Sequence, residues 1–211
     1  METLYILLGI LTAYLVGSIP SAVWVGKSFY GVDVRTQGSG NAGATNTIRV
    51  LGVKAGIPVL LFDVFKGWLA VYLAHFFIPG DFTGEKVIIY EIVIATVAVL
   101  GHVFPLFASF RGGKGIATLL GVGIALYPTE VLIVIAIFIL MLVLFKYVSL
   151  ASITASICFP LIVIFIFNET SFSLILLSIC VGIFVPITHR KNIKRLIEGT
   201  ESRFTLKKNK K

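Results

Sequence analysis

The sequence predicts an all-α polytopic membrane protein of seven transmembrane helices, with its N-terminus outside the cell and its C-terminus in the cytoplasm. Two observations lead to this fold class. The 211-residue chain is 57% hydrophobic and only 13% charged, a balance typical of membrane proteins and not of soluble domains. Apolar stretches of about 20 residues, long enough to cross a bilayer as a helix, recur along nearly the whole chain. We expect one integral membrane domain over residues 1–211, with 198–211 as a basic cytoplasmic tail.

The predicted spans follow one another with short connections between them. The first span, residues 3–25, is interrupted near Pro20, which is expected to kink or loosen the helix because proline lacks an amide proton. The first long polar connection then covers residues 26–50. Ala117, Gly121 and Ala125 recur at four-residue spacing, which suits close packing of one helix against another. The remaining spans are predicted at residues 54–78, 87–107, 114–127, 130–145, 150–167 and 172–187.

Basic residues are distributed unevenly over the connections. With seven spans and the N-terminus outside, sixteen of the 18 Lys and Arg residues fall on the cytoplasmic side, while Lys86 lies outside and Lys66 lies within a span. Positive charge concentrates in cytoplasmic loops of membrane proteins, so this asymmetry favours the predicted orientation. The net charge of +8 therefore indicates topology and contact with anionic membrane lipids, and not nucleic-acid binding.

A polar, glycine-rich stretch at residues 38–49 stands out from this apolar background. Three glycines, Gly38, Gly40 and Gly43, permit positive φ angles, and successive N–H groups in such a loop can form a concave anion site. Arg49 adds a planar charge suited to phosphate. This pattern predicts a phosphate cradle, and the alternative is an ordinary loop with a helix cap and a turn. Further hydrogen-bonding side chains come from Ser39, Asn41, Thr45, Asn46 and Thr47.

Two more segments with phosphate-binding chemistry are predicted on the same membrane face. Arg111 and Lys114 lie beside glycine backbone, and a helix that begins at Gly113 or Lys114 would direct free N–H groups at an anion. The alternative is glycine packing with basic residues at the membrane edge. His189 and Asn192 share a face if the start of the tail is helical. Together the three segments indicate one cytoplasmic site for a phosphorylated compound and an apolar one from the bilayer.

Asp63 and Lys66 are ionisable residues inside the second predicted span. Their i, i+3 spacing places them on one helix face. Ionisable groups within a membrane span are candidates for function by default. The alternative, which we favour slightly, is a structural pair that orders a polar interior.

Several chemistries have no counterpart in the sequence. The paired Asp pattern that holds divalent metals is missing, so we expect no metal and no cofactor. Five residues after each histidine stands a residue other than Asp, and no Ser nucleophile elbow is present. Any group that is transferred should therefore arrive already activated.

Motifs along nearly the whole chain resemble those of the bacterial acyl-phosphate:glycerol-3-phosphate acyltransferase family. They are GSIPS at 17–21, GSGNAGATN at 38–46 with Arg49, GHVFP at 101–105 continued by RGGKG at 111–115, and His189 with Asn192. The resemblance implies an integral membrane enzyme of seven helices. It implies acyl transfer from acyl phosphate to the sn-1 hydroxyl of glycerol 3-phosphate, which gives lysophosphatidic acid and phosphate without direct use of acyl-CoA or acyl carrier protein.

The resemblance also implies roles for individual residues. The predicted catalytic residues, which contact glycerol 3-phosphate, are Ser39, Arg49, Lys114, His189 and Asn192. Thr45, Asn46 and the backbone of Gly40 and Gly43 are expected to cradle the acyl-phosphate group. Asn41, His102 and Ser149 complete the predicted substrate-binding set. The proton acceptor stays open between the leaving phosphate, His189 and His102.

Expected partners are glycerol 3-phosphate, acyl phosphate and membrane lipids, with no nucleic acid and with a monomer as the expected state. The predicted location is the bacterial plasma membrane, with the active site on the cytoplasmic face, at the first acylation step of phospholipid synthesis. The alternative function is transport of an organic phosphate. Asp63, Lys66 and the interrupted helix would suit a transporter, but the polar motifs lie at one face and not at the midplane.

Overall fold

The structure, a computed structural model, describes residues 2–205. Throughout that part of the chain the regular structure is helical, without a strand. The helices form two compact units, residues 2–126 and residues 127–205. Residues 206–211 of the predicted basic tail lie outside the described residues.

The first unit contains six α-helices within residues 2–126, and its three longer loops each contain a 3₁₀ turn, at Val34–Thr36, His75–Phe77 and Leu106–Ala108. They are α1 (Glu2–Gly17), α2 (Ser21–Tyr30), α3 (Ala44–Leu51), α4 (Val53–Ala74), α5 (Glu85–Val103) and α6 (Ile116–Leu126). The second unit contains four α-helices within residues 127–205, and a π-helical turn at Ile162–Ile166 extends its second helix. They are α7 (Glu130–Phe145), α8 (Val148–Leu161), α9 (Phe172–Thr188) and α10 (Arg190–Ile197).

Three helical segments in residues 2–205 are long and apolar enough to cross a bilayer by themselves: Val53–Phe77, Glu85–Ala108 and Val148–Ile166. Two bent pairs, α1 with α2 and α9 with α10, qualify as well if each pair counts as one span. Helices α6 and α7 are apolar but have only 11 and 16 residues. The all-helical prediction is confirmed, whereas the count of seven spans and the orientation of the termini stay predictions.

The interruption predicted in the first span is present. Helix α1 ends at Gly17, α2 begins at Ser21, and the two axes are bent by 40°. Pro20 directly precedes α2, where its missing N–H is tolerated. Helix α2 then continues past the predicted end of the span at residue 25 and ends at Tyr30. Gly31 caps the helix there because it adopts a left-handed conformation with a φ of 65°.

Close helix contacts in the first unit depend on glycine. A Cβ atom at Gly121 of α6 would overlap the backbone of Val64 and Trp68 in α4, and a Cβ atom at Gly67 of α4 would overlap the backbone of Thr118. Without side chains at these two positions the helix backbones approach directly, as in small-residue packing within membranes. The packing predicted for the fourth span is therefore confirmed at Gly121.

We expect Gly121→Ala to destabilise the first unit, because the added methyl group forces α4 and α6 apart. The cost should be about 1–3 kcal/mol, the usual range for overpacking a close contact. The apparent melting temperature of the purified protein in detergent measures this effect. Gly80→Ala is the matched control, since a Cβ atom at Gly80 meets no atom within 4 Å. Equal melting temperatures for both variants would contradict the assigned contact.

Candidate functional site

The first glycine-rich loop precedes α3 in the first unit. Gly38 and Gly40 adopt φ angles of 62° and 73°, so the predicted positive φ is confirmed at both. The prediction is wrong for Gly43, which has extended backbone with a φ of −144° and immediately precedes α3. Ser39 is exposed and Asn41 is half-buried in this loop.

Asn46 shapes this loop from inside. Its side chain is buried, and its Oδ1 accepts a 2.8 Å hydrogen bond from the backbone N–H of Ser39. Its Nδ2 donates to the carbonyl oxygens of Val34 at 2.7 Å and Gln37 at 3.1 Å. The amide therefore ties the loop to the start of α3, and its contact with substrate remains a prediction.

Helix α3 forms the last part of the segment predicted as a polar connection, where the sequence pattern predicted no helix. Asn and Thr are weak helix formers, and the helix depends on packing that a sequence pattern does not show. Ile48 packs directly against Gly56 of α4, where a Cβ atom would overlap its side chain. Thr45 lies half-buried in the first turn of α3, and Arg49 is exposed in the last turn.

The second glycine-rich loop folds back over the end of α5. Backbone N–H groups of Gly112 and Gly113 donate to the carbonyl oxygens of Val103 at 3.1 Å and His102 at 3.2 Å. Lys114 follows and is half-buried. Gly115 has a φ of 80°, so α6 begins at Ile116 and not at the predicted Gly113 or Lys114.

Arg35 joins the two loops and was missed by the sequence analysis. Its guanidinium donates to both carboxylate oxygens of Asp33, at 3.0 Å and 2.7 Å, and to the carbonyl oxygen of Ala108 at 2.7 Å. The Arg35 hydrogen bonds hold the pKa of the Asp33 carboxyl well below its usual range. A solvent-accessible cavity of about 220 Å³ lies beside this contact, and it is lined by Asp33, Arg35, Thr36, Gly40, Arg111 and Gly112.

A group of buried polar side chains lies beneath the loops in the first unit. Asp63 and Lys66 of α4 form an ion pair of 2.8 Å, and both side chains are almost fully buried. Ser21 Oγ donates to Asp63 Oδ1 at 2.8 Å, and Lys66 Nζ donates to the carbonyl oxygen of Ile19 at 2.8 Å. His102 Nδ1 lies 3.6 Å from Asp63 Oδ1. Asp63 and Lys66 are therefore mutually paired, as the structural alternative expected.

The second unit contains its own polar cluster, centred on Glu201. Its Oε1 accepts hydrogen bonds of 2.7 Å from Ser149 Oγ and from Asn192 Nδ2, and its Oε2 accepts one of 2.7 Å from Arg195 Nε. Although burial would raise the pKa of Glu201, these three donors hold it below its ordinary value. Glu201 belongs to the predicted basic tail, but in the structure it accepts hydrogen bonds from two predicted site residues, Ser149 and Asn192.

His189 lies at the 60° bend between α9 and α10, and its side chain is buried. Its Nδ1 is 2.9 Å from the carbonyl oxygen of Val185 and 3.3 Å from Thr188 Oγ1. The N–H of Asn192 donates to the carbonyl oxygen of His189 at 2.8 Å. The start of the tail is helical, which meets the condition under which His189 and Asn192 share a face, and both residues lie at the N-terminal end of α10.

We expect Asp33→Asn to weaken the first unit, because it removes the charged acceptor of Arg35. A carboxyl with a lowered folded pKa stabilises the protein above its unfolded pKa of about 3.9, and this contribution declines as the pH falls below that value. The difference in melting temperature between wild type and variant should therefore be full at neutral pH and shrink in acid. Asp81→Asn, at an exposed carboxylate 4.0 Å from Lys86, should show little difference at any pH. A difference for Asp33→Asn that does not change with pH would contradict this assignment.

Comparison with known proteins agrees with the arrangement of these motifs. The family model described as glycerol-3-phosphate acyltransferase matches residues 7–199. A glycerol-3-phosphate acyltransferase of Fusobacterium nucleatum is 46% identical over 197 residues, which cover 92% of this chain and 96% of that one. The Staphylococcus carnosus protein of the same name is 44% identical over 198 residues, which cover 93% of this chain and 96% of the relative.

Solved structures show the same similarity in three dimensions. A crystal structure of PlsY, an integral membrane glycerol 3-phosphate acyltransferase in its glycerol 3-phosphate form, matches with a TM-score of 0.82 and 36% identity, over 95% of this chain and 96% of that chain. Its lysophosphatidic acid form matches with a TM-score of 0.80 and 35% identity, over the same shares of the two chains. The chain belongs to the glycerol-3-phosphate acyltransferase family.

Proposed function

We propose that the protein transfers a fatty acyl group from acyl phosphate to the sn-1 hydroxyl of glycerol 3-phosphate, and that it releases lysophosphatidic acid and inorganic phosphate. The family is an acyltransferase family for glycerol 3-phosphate, and the chain is a membrane-bound enzyme of this kind. One observation most directly supports a site for phosphorylated substrates. Two glycine-rich loops with basic residues are joined by Arg35 beside an open cavity, an arrangement suited to phosphate groups.

The proposed reaction is a direct displacement. The hydroxyl oxygen of glycerol 3-phosphate attacks the acyl carbonyl carbon, and the bond between that carbon and the phosphate oxygen breaks. The phosphate leaves with the electron pair of that bond. Because acyl phosphate is a mixed anhydride with a good leaving group, the reaction needs neither a covalent acyl-enzyme nor a cofactor. The protein contributes by holding the reactants together and by neutralising phosphate charge.

We assign roles to residues by the family motifs that they occupy. Ser39, Arg49, Lys114, His189 and Asn192 are proposed to contact glycerol 3-phosphate. The backbone of Gly40 and Gly43, together with Thr45, is proposed to hold the acyl-phosphate group, with Asn41, His102 and Ser149 as further substrate-binding residues. Asn46 is proposed to hold the acyl-phosphate group as well, and its hydrogen bonds also set the shape of the loop. The exposure of Ser39 and Arg49 supports their assignment, since both are open to a ligand from solvent.

The proposed placement is a single domain of seven spans in the bacterial plasma membrane, with the N-terminus outside and the site facing the cytoplasm. The charge asymmetry of the connections supports this orientation. Helices α6 and α7 are short and apolar, and as spans they would complete seven together with the three long segments and the two bent pairs. There the enzyme would carry out the first acylation step of phospholipid synthesis as a monomer.

The test of the function uses purified wild-type protein with acyl phosphate and glycerol 3-phosphate, without added metal. We expect lysophosphatidic acid and phosphate to form in equal amounts. Arg49→Ala and Lys114→Ala should each lower kcat/KM by about 10²–10³-fold, because a lost donor to a phosphate removes charge stabilisation. Lys86→Ala, at an exposed lysine outside the glycine-rich loops, is the matched control and should retain wild-type activity.

The absence of product from folded protein, with acyl-CoA also tested as donor, would contradict the acyltransferase assignment. Flux of a phosphorylated compound into sealed vesicles without chemical turnover would then favour the transporter alternative.

His189→Ala and His102→Ala test where the hydroxyl proton goes. If the leaving phosphate accepts the proton, we expect both variants to keep measurable turnover, with their losses mainly in KM. Steady-state kinetics over a range of pH values measure the two parameters separately. A variant that keeps the wild-type KM but nearly loses turnover at every pH would identify that histidine as the general base.

A further inference from the structure

His102 is the contact between the buried polar group and the second glycine-rich loop. It lies near the C-terminal end of α5 and is 6% exposed. One side of the imidazole, Nδ1, is 3.6 Å from Asp63 Oδ1. The other side, Nε2, lies directly against Gly113, where an added Cβ atom would overlap it. The carbonyl oxygen of the same histidine accepts the N–H of Gly113 at 3.2 Å.

Gly113 in turn lies against the first loop. A Cβ atom at Gly113 would be 2.9 Å from the carbonyl oxygen of Ala42. The imidazole of His102 and the backbone of Ala42 thus both lie close to Gly113 and leave no room for a side chain there. Ala42 and Gly112 also line a small cavity together with Asp63, Lys66 and His102. The distance between the two glycine-rich loops therefore depends on where the imidazole lies.

Asp63 is the charged group next to the imidazole, and the 3.6 Å between its Oδ1 and His102 Nδ1 is an electrostatic contact and not a hydrogen bond. Its own position is set by a 2.8 Å hydrogen bond from Ser21 at the start of α2 and by the 2.8 Å ion pair with Lys66. Lys66 is anchored by the carbonyl oxygen of Ile19, in the break between α1 and α2. A carboxylate held by buried partners on two elements is a rigid support, because none of these groups can move without losing a buried hydrogen bond.

We propose, on the basis of the proposed function, that Asp63 is a positioning residue for acyl transfer, which acts through His102 to set the second glycine-rich loop, and with it Lys114, against the first loop. Asp63 itself contacts no substrate in this arrangement. A shift of the imidazole would move Gly113 and the neighbouring Lys114, and small displacements of substrate-holding groups can lower rates by about 10²-fold.

The test compares Asp63→Asn with wild type in steady-state kinetics, melting temperature and amide hydrogen exchange. We expect the KM for glycerol 3-phosphate to rise by about tenfold or more, since displaced binding groups weaken substrate binding. We also expect faster exchange of the Gly112 and Gly113 amides, while the Ser39 amide, which donates to Asn46, stays protected. A support of the fold alone would lower the melting temperature and leave KM unchanged.

Two further variants keep the test decisive if Asp63→Asn folds poorly with an uncompensated Lys66. The double variant Asp63→Asn with Lys66→Met removes both charges, and it should show the same rise in KM with a better melting temperature. Ser21→Ala removes one hydrogen bond to Asp63 without changing charge, and it should move KM in the same direction by a smaller factor. Asp81→Asn is the matched control at an exposed carboxylate and should leave KM and exchange unchanged.

The outcomes separate this inference from the proposed function. An unchanged KM together with uniformly faster amide exchange in the folded variants would overturn the positioning role of Asp63. The acyltransferase assignment would still stand if the wild-type protein turns over its substrates. If the wild-type protein forms no lysophosphatidic acid, the proposed function fails. The exchange of the Gly112 and Gly113 amides still decides whether Asp63 controls the loop.

Discussion

The buried ion pair between Asp63 and Lys66 is the interaction on which the first unit depends. Charged side chains inside an apolar helix are costly unless they are paired, and here each also has a polar partner on another element. Lys66 donates to the carbonyl oxygen of Ile19 in the break between α1 and α2, which also accepts the N–H of Ser21. Asp63 reaches the start of α2 and the end of α5. One ion pair thereby fixes the elements from which both glycine-rich loops extend.

The candidate site is built mainly from backbone, which explains why glycine and small polar residues dominate its sequence. Gly38 and Gly40 take left-handed angles that other residues rarely adopt, and Gly112 and Gly113 lie where a side chain would overlap the end of α5. Such loops need external supports, because glycine backbone is flexible. Asn46 accepts a hydrogen bond from the first loop, and Arg35 donates to the carbonyl oxygen of Ala108 before the second loop. The imidazole of His102 packs against Gly113 in the second loop. In the second unit, Glu201 accepts hydrogen bonds from both Ser149 and Asn192 and holds these two side chains together.

Polar and charged residues of the motifs and of the second span were singled out from the sequence, whereas the contacts that connect them were not. Arg49 and Lys114 were predicted because charge beside glycine is rare in an apolar chain. Arg35 and Glu201 were missed because each also bonds to a residue far along the chain, Ala108 for the first and Ser149 for the second, and no local pattern shows these contacts. Helix α3 was missed because its Thr and Asn residues have weak helix propensity, and its stability depends on the contact of Ile48 with Gly56 in α4.

The sequence by itself determined the helical membrane class, the break near Pro20, the glycine-rich motifs and the family. Each of these follows from local composition or from short motifs, which depend only on residues that are neighbours in the sequence. Only the tertiary structure decided that Asp63 and Lys66 are paired, that His102 lies between Asp63 and Gly113, and that Asn46 faces its own loop. The physical reason is that the role of a buried polar group depends on its partners, and folding alone brings those partners into contact.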